Sequence, residues 1–220
     1  TAAVVGTAHD ADADRRFAAE EPGPSVPMDV LFALFARQAV AGVGGGVPAA
    51  PVDPSLCVDD AIEPLGGSVN RTKVGDVFVA EATTSDGTVF GGEPSGAWIW
   101  PEETLCPDGS LAAAKLTALV GINGPLSEQV ASVETYPIRR RSIETDDKAG
   151  VMERVADEML AEYDDVTALD GIRAETDTGW MLVRPSGIQP LIRITAEARS
   201  EEAADELLAD AVDRVEVAID

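Results

Sequence analysis

Lysine and histidine are scarce in this sequence. Its 220 residues include three lysines, Lys73, Lys115 and Lys148, and one histidine, His9. Forty Asp and Glu residues face 16 Lys and Arg residues, which gives a formal net charge of -24. Such a field repels phosphate backbones, so the sequence disfavours nucleic acid as a partner. The one basic run, residues 139–141, is short, and we interpret it as a linker or a strand edge.

Cysteine and long apolar runs are equally scarce. Cys57 and Cys106 make no disulfide framework, which favours free thiols in a reducing compartment. No apolar run approaches a membrane span and no signal-peptide pattern occurs, so we expect a cytoplasmic protein without a membrane partner.

Acidic excess with little lysine is typical of proteins from a very salty cytoplasm, where salt screens self-repulsion. The chain begins with Thr1 rather than Met, which indicates a fragment, a processed chain or a truncated product.

The hydrophobic content of 45% is enough for one large or two small cores. Up to about residue 135, strand-like and helix-like stretches alternate, which predicts an α/β fold. The predicted strands cover 2–9, 15–21, 68–72 and two segments within 88–100, and the predicted helices cover 28–42, 53–66, 75–86 and 108–123. Beyond residue 135, a strand, a helix, three antiparallel strands and a closing helix predict a small α+β unit.

Residues 9–16, HDADADRR, place three carboxylates at alternating positions between two predicted strands. Side chains two residues apart can face one side of a loop, and converging carboxylate oxygens are what a hard divalent cation requires. Asp10, Asp12 and Asp14 are therefore candidate metal ligands. A solvated acidic loop is an equally weighted alternative in so acidic a chain. An EF-hand fits less well, because Arg15 stands where that loop needs glycine and no helices flank it.

Two later turns also carry candidate ligand-binding groups. Residues 91–97, GGEPSGA, present Glu93 and Ser95 on a glycine-flanked turn that suits a hydroxyl-rich ligand. Residues 184–190, RPSGIQP, combine Arg184, Ser186 and the free amides around Gly187, which can cradle a phosphate. Each turn taken alone is at least as compatible with an ordinary connection between strands.

Together these stretches resemble the α-D-phosphohexomutase family, which comprises phosphomannomutases, phosphoglucomutases and phosphoglucosamine mutases. The family's metal loop, D-G-D-x-D-R, matches DADADR at 10–15, and its sugar loop, G-E-x-S-G-H, matches GEPSGA at 92–97. Its phosphate loop, R-x-S-N/G-T-x-P, matches RPSGIQP at 184–190. The segment RTKVGDVFVAEA looks like the family's lysine-bearing stretch that faces the active site, with Lys73 as the matching lysine.

The resemblance implies the C-terminal half of a four-domain enzyme built around a central cleft. Residues 1–24 would end domain 2 and carry the metal loop, and residues 25–135 would form α/β domain 3, a mixed sheet between helices with the sugar loop. Residues 136–220 would form α+β domain 4, with an antiparallel sheet and the phosphate loop. No stretch of the T-A-S-H-N-P type, which carries the family's phosphoserine, occurs in the 220 residues. We therefore expect the missing N-terminal domains to be a partner and this chain alone to be inactive.

The implied activity is isomerisation of a hexose 1-phosphate and a hexose 6-phosphate through a phosphoserine and a bisphosphate intermediate. Mg2+ would be held by the three aspartates, with Arg15 and Lys73 as catalytic residues. Glu93 and Ser95 would bind sugar hydroxyls, and Arg184, Ser186 and Gly187 would bind the phosphate that does not react. Arg16 would be a salt partner on the next strand. The alternative is a non-catalytic metal- or sugar-phosphate-binding fragment or degenerate paralogue.

Three positions depart from the family pattern. Ala11 replaces a loop glycine, which matters if that position requires a positive φ. Ala97 replaces the sugar-loop histidine, and Ile188 replaces a threonine whose hydroxyl meets phosphate in the family. The substrate sugar, whether mannose, glucose or glucosamine, stays open at this point.

Overall fold

The computed structural model describes residues 3–21 and 23–220, and the chain divides into two compact units, 1–135 and 136–220. The elements of the first unit are β1 Gly6–His9, β2 Arg16–Ala19, α1 Met28–Val43, β3 Val47–Pro51, α2 Leu56–Ile62, a 3-10 turn Glu63–Leu65, β4 Asn70–Thr72, α3 Asp76–Ala82, β5 Thr88–Gly92, β6 Trp98–Ile99, α4 Gly109–Asn123 and α5 Leu126–Ala131. Those of the second unit are β7 Ile138–Glu144, α6 Lys148–Glu162, β8 Val166–Thr167, β9 Ile172–Glu175, β10 Gly179–Pro185, β11 Leu191–Ala198 and α7 Glu201–Ile219.

A four-stranded mixed sheet organises the first unit. Its strand order is β4-β3-β5-β6, with β3 parallel to both β4 and β5, and β6 antiparallel to β5. Because side chains alternate along a strand, Phe90 faces α1 while Gly91 faces α3. A Cβ at position 91 would lie 2.5 Å from the Thr83 methyl group, so the glycine lets α3 approach closely. The sheet is therefore covered by helices on both faces.

The α1 face of this sheet is filled by aromatic rings. The Phe90 ring centroid lies 5.6 Å from that of Phe32, 6.0 Å from that of Phe35 and 5.1 Å from that of Trp100. The Trp98 ring stacks on Phe90 at 6.2 Å. Five large side chains, from α1, β5, β6 and the residue that follows β6, thus form one cluster, which fixes the strands that carry the turn between β5 and β6.

A separate antiparallel hairpin precedes α1 and carries the aspartate loop. Strands β1 and β2 pair from Gly6 opposite Ala19 to His9 opposite Arg16. The loop between them begins at Asp10 directly after the last pair, so the three aspartates lie at the hairpin tip.

The second unit is an antiparallel sheet with helices on one face. Its strand order is β7-β11-β10-β9-β8, and all neighbouring strands are antiparallel. One buried cluster joins residues of α6, of α7 and of strands β9, β10 and β11, among them Val155, Met181 and Val215. Ser200 caps α7 through a hydrogen bond from the Ala203 amide, and two glutamates in the first turn favour the helix start.

The predicted fold class is confirmed: an α/β unit with a mixed sheet precedes an α+β unit with an antiparallel sheet. The predicted strand at 2–9 is shorter, because pairing begins at Gly6, and Ala2, like Thr1 and Pro22, lies outside the described residues. Helix α5 and strand β8 escaped the sequence analysis because they are too short to show a period, and the helix predicted at 53–66 divides into α2 and the 3-10 turn. Among the described residues, no helix is long and apolar enough to cross a membrane.

We expect Phe90→Ala to lower the free energy of unfolding of the first unit by about 3–5 kcal/mol, because it opens a cavity among four aromatic rings. Urea denaturation followed by circular dichroism measures the change. Ile122→Ala on α4, where the side chain is 71% exposed, is the control and should change the value by less than about 0.5 kcal/mol.

Candidate functional site

The hairpin tip brings the three predicted metal ligands together. One carboxylate oxygen from each of Asp10, Asp12 and Asp14 lies within 4.8 Å of the other two. The backbone reaches this arrangement through Ala13, whose φ of 64° is the one positive value among the described non-glycine residues. The position that needs left-handed backbone is therefore residue 13, and Ala11 takes an ordinary conformation.

The electrostatics of this cluster fit a divalent cation. Asp14 Oδ1 is buried without a hydrogen-bond partner among the described residues. Desolvation, together with the nearby charges of Asp10 and Asp12, raises the pKa of Asp14. A hard cation would stabilise these oxygens, and carboxylate oxygens are the kind of donor that Mg2+ takes. The residues present thus fit Mg2+.

Arg15 closes one side of the aspartate loop. Its Nε donates to Asp10 Oδ2 at 2.6 Å and lies 3.7 Å from Asp14 Oδ1. Desolvation alone would raise the pKa of Asp10, but the backbone and side-chain hydrogen bonds from Arg15 outweigh it and lower that pKa. The side chain of Arg15 is 45% exposed, so it stays open to a ligand while it orients Asp10.

The prediction that Arg16 is a salt partner is wrong. Its Nε donates to the carbonyl oxygen of Gly109 at 2.7 Å and its Nη1 to the Thr7 hydroxyl at 3.3 Å, and no carboxylate among the described residues pairs with it. The side chain is 7% exposed. The guanidinium instead donates to a carbonyl oxygen at the start of α4, because that helix begins directly beside the aspartate loop.

The start of α4 supports the aspartate loop from behind. The Gly109 amide donates to the Ala13 carbonyl oxygen at 3.1 Å, while Asp108 caps the helix by accepting from the amides of Ser110 and Leu111. A Cβ at position 109 would lie 2.5 Å from that Ala13 oxygen. Glycine is therefore required here for close approach of the helix to the left-handed residue of the loop.

The turn between β5 and β6 is joined directly to this loop. Arg15 and Ala97 form an antiparallel bridge, and the Arg16 amide donates to the Gly96 carbonyl oxygen at 2.9 Å. The indole Nε1 of Trp98 returns a hydrogen bond to the Arg16 carbonyl oxygen at 3.1 Å. The aspartate loop and the GGEPSGA turn therefore belong to one connected surface of the first unit.

Glu93 is held in place within that turn by two donors. Its Oε1 accepts from the Gly75 amide at 2.7 Å, and its Oε2 accepts from the Ser95 hydroxyl at 3.2 Å. Burial raises the pKa of Glu93 despite these hydrogen bonds, and the charges of Asp53 and Asp76 add to the rise. The carboxylate is fixed and partly desolvated, whereas Ser95 is exposed at the tip. This is a suitable pair for binding hydroxyl groups.

Lys73 and Glu93 each follow a strand that pairs with β3. Lys73 comes directly after β4 and Glu93 directly after β5, and both strands are parallel to the β3 strand between them. Ligands of open α/β sheets bind at the carboxyl ends of strands where the strand order reverses, as it does at β3. Lys73 is exposed, and its Nζ lies 5.7 Å from the Phe78 ring centroid. The hydrogen bond from the Gly75 amide connects the turn that follows Lys73 to the Glu93 carboxylate.

The third predicted site lies in the second unit, between β10 and β11. Arg184 pairs with Asp170 at 3.2 Å, so its guanidinium is oriented by a carboxylate. The Ser186 hydroxyl accepts from the Gln189 amide at 3.2 Å, and the Ser186 amide donates to the Leu191 carbonyl oxygen at 2.9 Å. Gly187 and Ile188 stand at the exposed tip, with Ile188 98% exposed.

Sequence reasoning missed four residues that hold these sites: Gly75, Trp98, Gly109 and Lys148. Gly109 was interpreted only as part of a helix start, although a glycine directly after a capping aspartate could have signalled close approach. The ring of Trp98 is buried in the core, while its indole N–H reaches the Arg16 carbonyl oxygen. Contacts of this kind join residues about 80 positions apart, which no local pattern reveals.

Two family models match the chain. The model described as "Phosphoglucomutase/phosphomannomutase, alpha/beta/alpha domain III" matches residues 27–136, and the model of the C-terminal domain of the same family matches residues 143–214. The chain therefore belongs to the phosphoglucomutase/phosphomannomutase family and comprises its third and C-terminal domains, preceded by the hairpin with the aspartate loop.

Individual relatives agree with this family. A "probable phosphoglucosamine mutase" of Methanopyrus kandleri is 47% identical over 218 residues, which is 98% of this chain and 48% of that protein. A phosphoglucomutase/phosphomannomutase family protein of Burkholderia thailandensis superposes with a TM-score of 0.84 at 21% identity, covering 97% of this chain and 46% of that one. The chain thus spans about half the length of the relatives it matches.

A third similar structure contains ligands. The N-acetylphosphoglucosamine mutase of Aspergillus fumigatus, in complex with GlcNAc-6P and magnesium, superposes with a TM-score of 0.68 at 16% identity. The match covers 97% of this chain and 49% of that one. At this identity the likeness establishes the fold.

We expect Gly109→Ala to weaken binding of Mn2+, used as a probe for Mg2+, by about tenfold, because the new methyl group collides with the Ala13 carbonyl oxygen and displaces the aspartate loop. Titration followed by electron paramagnetic resonance measures the affinity. Gly121→Ala on the same helix meets no atom within 4 Å and should leave Mn2+ binding unchanged. Equal affinities in both variants would contradict the role of Gly109.

We expect Glu93→Gln to become more stable than the wild type as pH rises from about 4.5 to 7.5. The folded-state pKa of Glu93 is raised, so the stability from its protonated form is present below the ordinary value of 4.5 and is lost as pH rises through the folded value. Glutamine avoids that loss because it never ionises. Urea denaturation across this pH range measures the free energy of unfolding of the variant and the wild type. The exposed Glu81→Gln is the control. If the difference in free energy between Glu93→Gln and the wild type did not change with pH, the burial argument would be contradicted.

Proposed function

We propose that this chain is the C-terminal half of a phosphoglucosamine mutase, which interconverts glucosamine 6-phosphate and glucosamine 1-phosphate. The observation that carries the proposal is the hydrogen-bonded connection between the aspartate loop and the Glu93 turn. It supports the proposal because it joins the three aspartates and the Glu93 carboxylate on one surface, where a cation and a sugar hydroxyl would have to meet for transfer of a phosphoryl group. The 47% identity to a relative of that description favours glucosamine among the hexoses.

Asp10, Asp12 and Asp14 would hold Mg2+ in this reaction. When bound, Mg2+ supplies positive charge that offsets the charge developing on a transferring phosphoryl group. Asp14 contributes the buried oxygen that lacks a hydrogen-bond partner among the described residues, and Arg15 orients Asp10 through its hydrogen bond.

The remaining residues of the first unit would bind and position the sugar. Arg15, with its exposed guanidinium, can take up phosphoryl oxygens beside the aspartates. Glu93 and Ser95 would hydrogen-bond neighbouring hydroxyl groups, which aligns the hydroxyl that accepts the phosphoryl group. Lys73 stands at the same sheet edge as Glu93, where an exposed ammonium can act on the proton or the charge of that hydroxyl.

Arg184, Ser186 and the Gly187 amide would bind the phosphate that is not being transferred. Binding energy from such a remote group can be used to orient the reacting end of the substrate. Ile188 removes the hydroxyl that the family pattern has at its position, so backbone amides must supply that contact. In this proposal residues 1–24 belong functionally to domain 2, residues 25–135 to domain 3 and residues 136–220 to domain 4.

The phosphoserine of the reaction would come from the N-terminal domains of the protein, because the 220 residues contain no T-A-S-H-N-P-type stretch. The hydroxyl of that serine would alternate between its phosphorylated and free forms as the bisphosphate intermediate forms and reorients. We therefore expect the 220-residue chain alone to bind Mg2+ and glucosamine 6-phosphate without isomerising the sugar phosphate.

The test compares the isolated chain with the protein that carries it together with its phosphoserine segment. We expect the longer protein to convert glucosamine 6-phosphate to glucosamine 1-phosphate in the presence of Mg2+, as followed by phosphorus-31 NMR. Asp12→Asn should lower this activity at least about a hundredfold, whereas Asp86→Asn, in an exposed turn, should not. Isomerisation by the isolated chain, or an unaltered rate in Asp12→Asn, would refute the proposal.

A further inference from the structure

Lys148 lies beside the 186–190 loop of the second unit, although it is not part of the RPSGIQP motif that contains this loop. Its Nζ donates to the carbonyl oxygen of Ser186 at 2.5 Å and to that of Gln189 at 3.0 Å. Lys148 is the first residue of α6, and the helix is capped by Asp147, which accepts from the Gly150 amide. One ammonium group, carried by a helix outside the loop, thus binds two carbonyl oxygens of the loop.

The contact with Ser186 decides where the next amide of the loop points. No cis peptide bond occurs among the described residues, and in a trans peptide the C=O and the following N–H point in opposite directions. Because the Ser186 carbonyl oxygen turns toward Lys148, the Gly187 N–H turns away from it. Within the described chain, the amides of Gly187 and Ile188 donate to no protein acceptor, whereas the Gln189 amide is used by the Ser186 hydroxyl. Two free amides therefore remain at the loop tip.

The charge of Lys148 is also available to the loop. No carboxylate among the described residues lies within ion-pair distance of its Nζ, in contrast to Arg184, which pairs with Asp170, and Lys115, which pairs with Glu103. A compact ammonium has three donors that can converge on two carbonyl oxygens, which a planar guanidinium does not match. Lysine at this position therefore stands out in a chain with only three lysines.

We propose that Lys148 is a positioning residue for phosphate binding: by holding the Ser186 carbonyl oxygen it turns the Gly187 amide outward, and its second bond, to the Gln189 carbonyl oxygen, holds the other side of the loop. Its unpaired charge strengthens the field at the free amides of Gly187 and Ile188. The proposal rests on the proposed function of this loop as the site of the non-reacting phosphate. It also explains how a loop with isoleucine in place of threonine retains phosphate-binding groups.

The experiment is a titration of the 220-residue chain with glucosamine 6-phosphate, followed by the amide resonances of Gly187 and Ile188 in nitrogen-15 NMR spectra. We expect both resonances to shift in the wild type and the affinity to fall about tenfold or more in Lys148→Met. Lys115→Met removes a lysine of the first unit and should bind as the wild type does. The resonances of residues in α7 should stay unchanged in Lys148→Met, which separates loop positioning from a loss of fold.

The outcomes distinguish this inference from the proposed function. If the Gly187 and Ile188 resonances of the wild type do not respond to the sugar phosphate, the assigned role of the loop fails and the inference fails with it. If the wild type binds and Lys148→Met binds equally well, only the inference fails. Should Lys148→Met not fold, Lys148→Arg replaces it: we expect a three- to tenfold loss there, and wild-type affinity would overturn the proposal.

Discussion

The hydrogen bonds around Arg16 are the constraint on which the first unit's site depends. The backbone of this residue donates to Gly96 and accepts from the Trp98 indole, while its side chain holds the first carbonyl of α4. Three elements distant in sequence therefore meet at one residue of a two-stranded hairpin. An isolated hairpin is at best marginally stable, so the position of the aspartate loop derives from these contacts rather than from the hairpin itself.

The same principle operates in the second unit, where a rigid element outside a loop decides how the loop presents its polar groups. In both units, residues outside the motif orient the polar groups that the motif supplies. Gly109 does this through close approach and Lys148 through its ammonium. Exposed loops with few apolar contacts would otherwise populate several conformations, and binding would be weakened by the cost of ordering them.

Much of the fold could be predicted from the sequence because each of its long helices has an apolar period, a side-chain cap or both. Asp108 and Ser200 cap as their residue types predict, and α1 follows the apolar spacing of its segment. The three aspartates also converge as alternation predicts. The role of Arg16 could not be predicted, because charge suggested a carboxylate partner while the actual partner is a carbonyl 93 residues away. The left-handed conformation of residue 13 could not be predicted either, since alanine gives no local signal for a positive φ.

The Glu93 carboxylate has one further consequence. One of its oxygens anchors the Gly75 amide and the other accepts from Ser95, so a hydroxylated ligand that recruits this carboxylate competes with both bonds. Under the proposed function, a bound sugar would therefore weaken or change the tether of the turn that follows Lys73. Occupancy at the end of β5 would affect the placement of the Lys73 ammonium, so that ligand selectivity and the position of this lysine would become one shared property of this sheet edge.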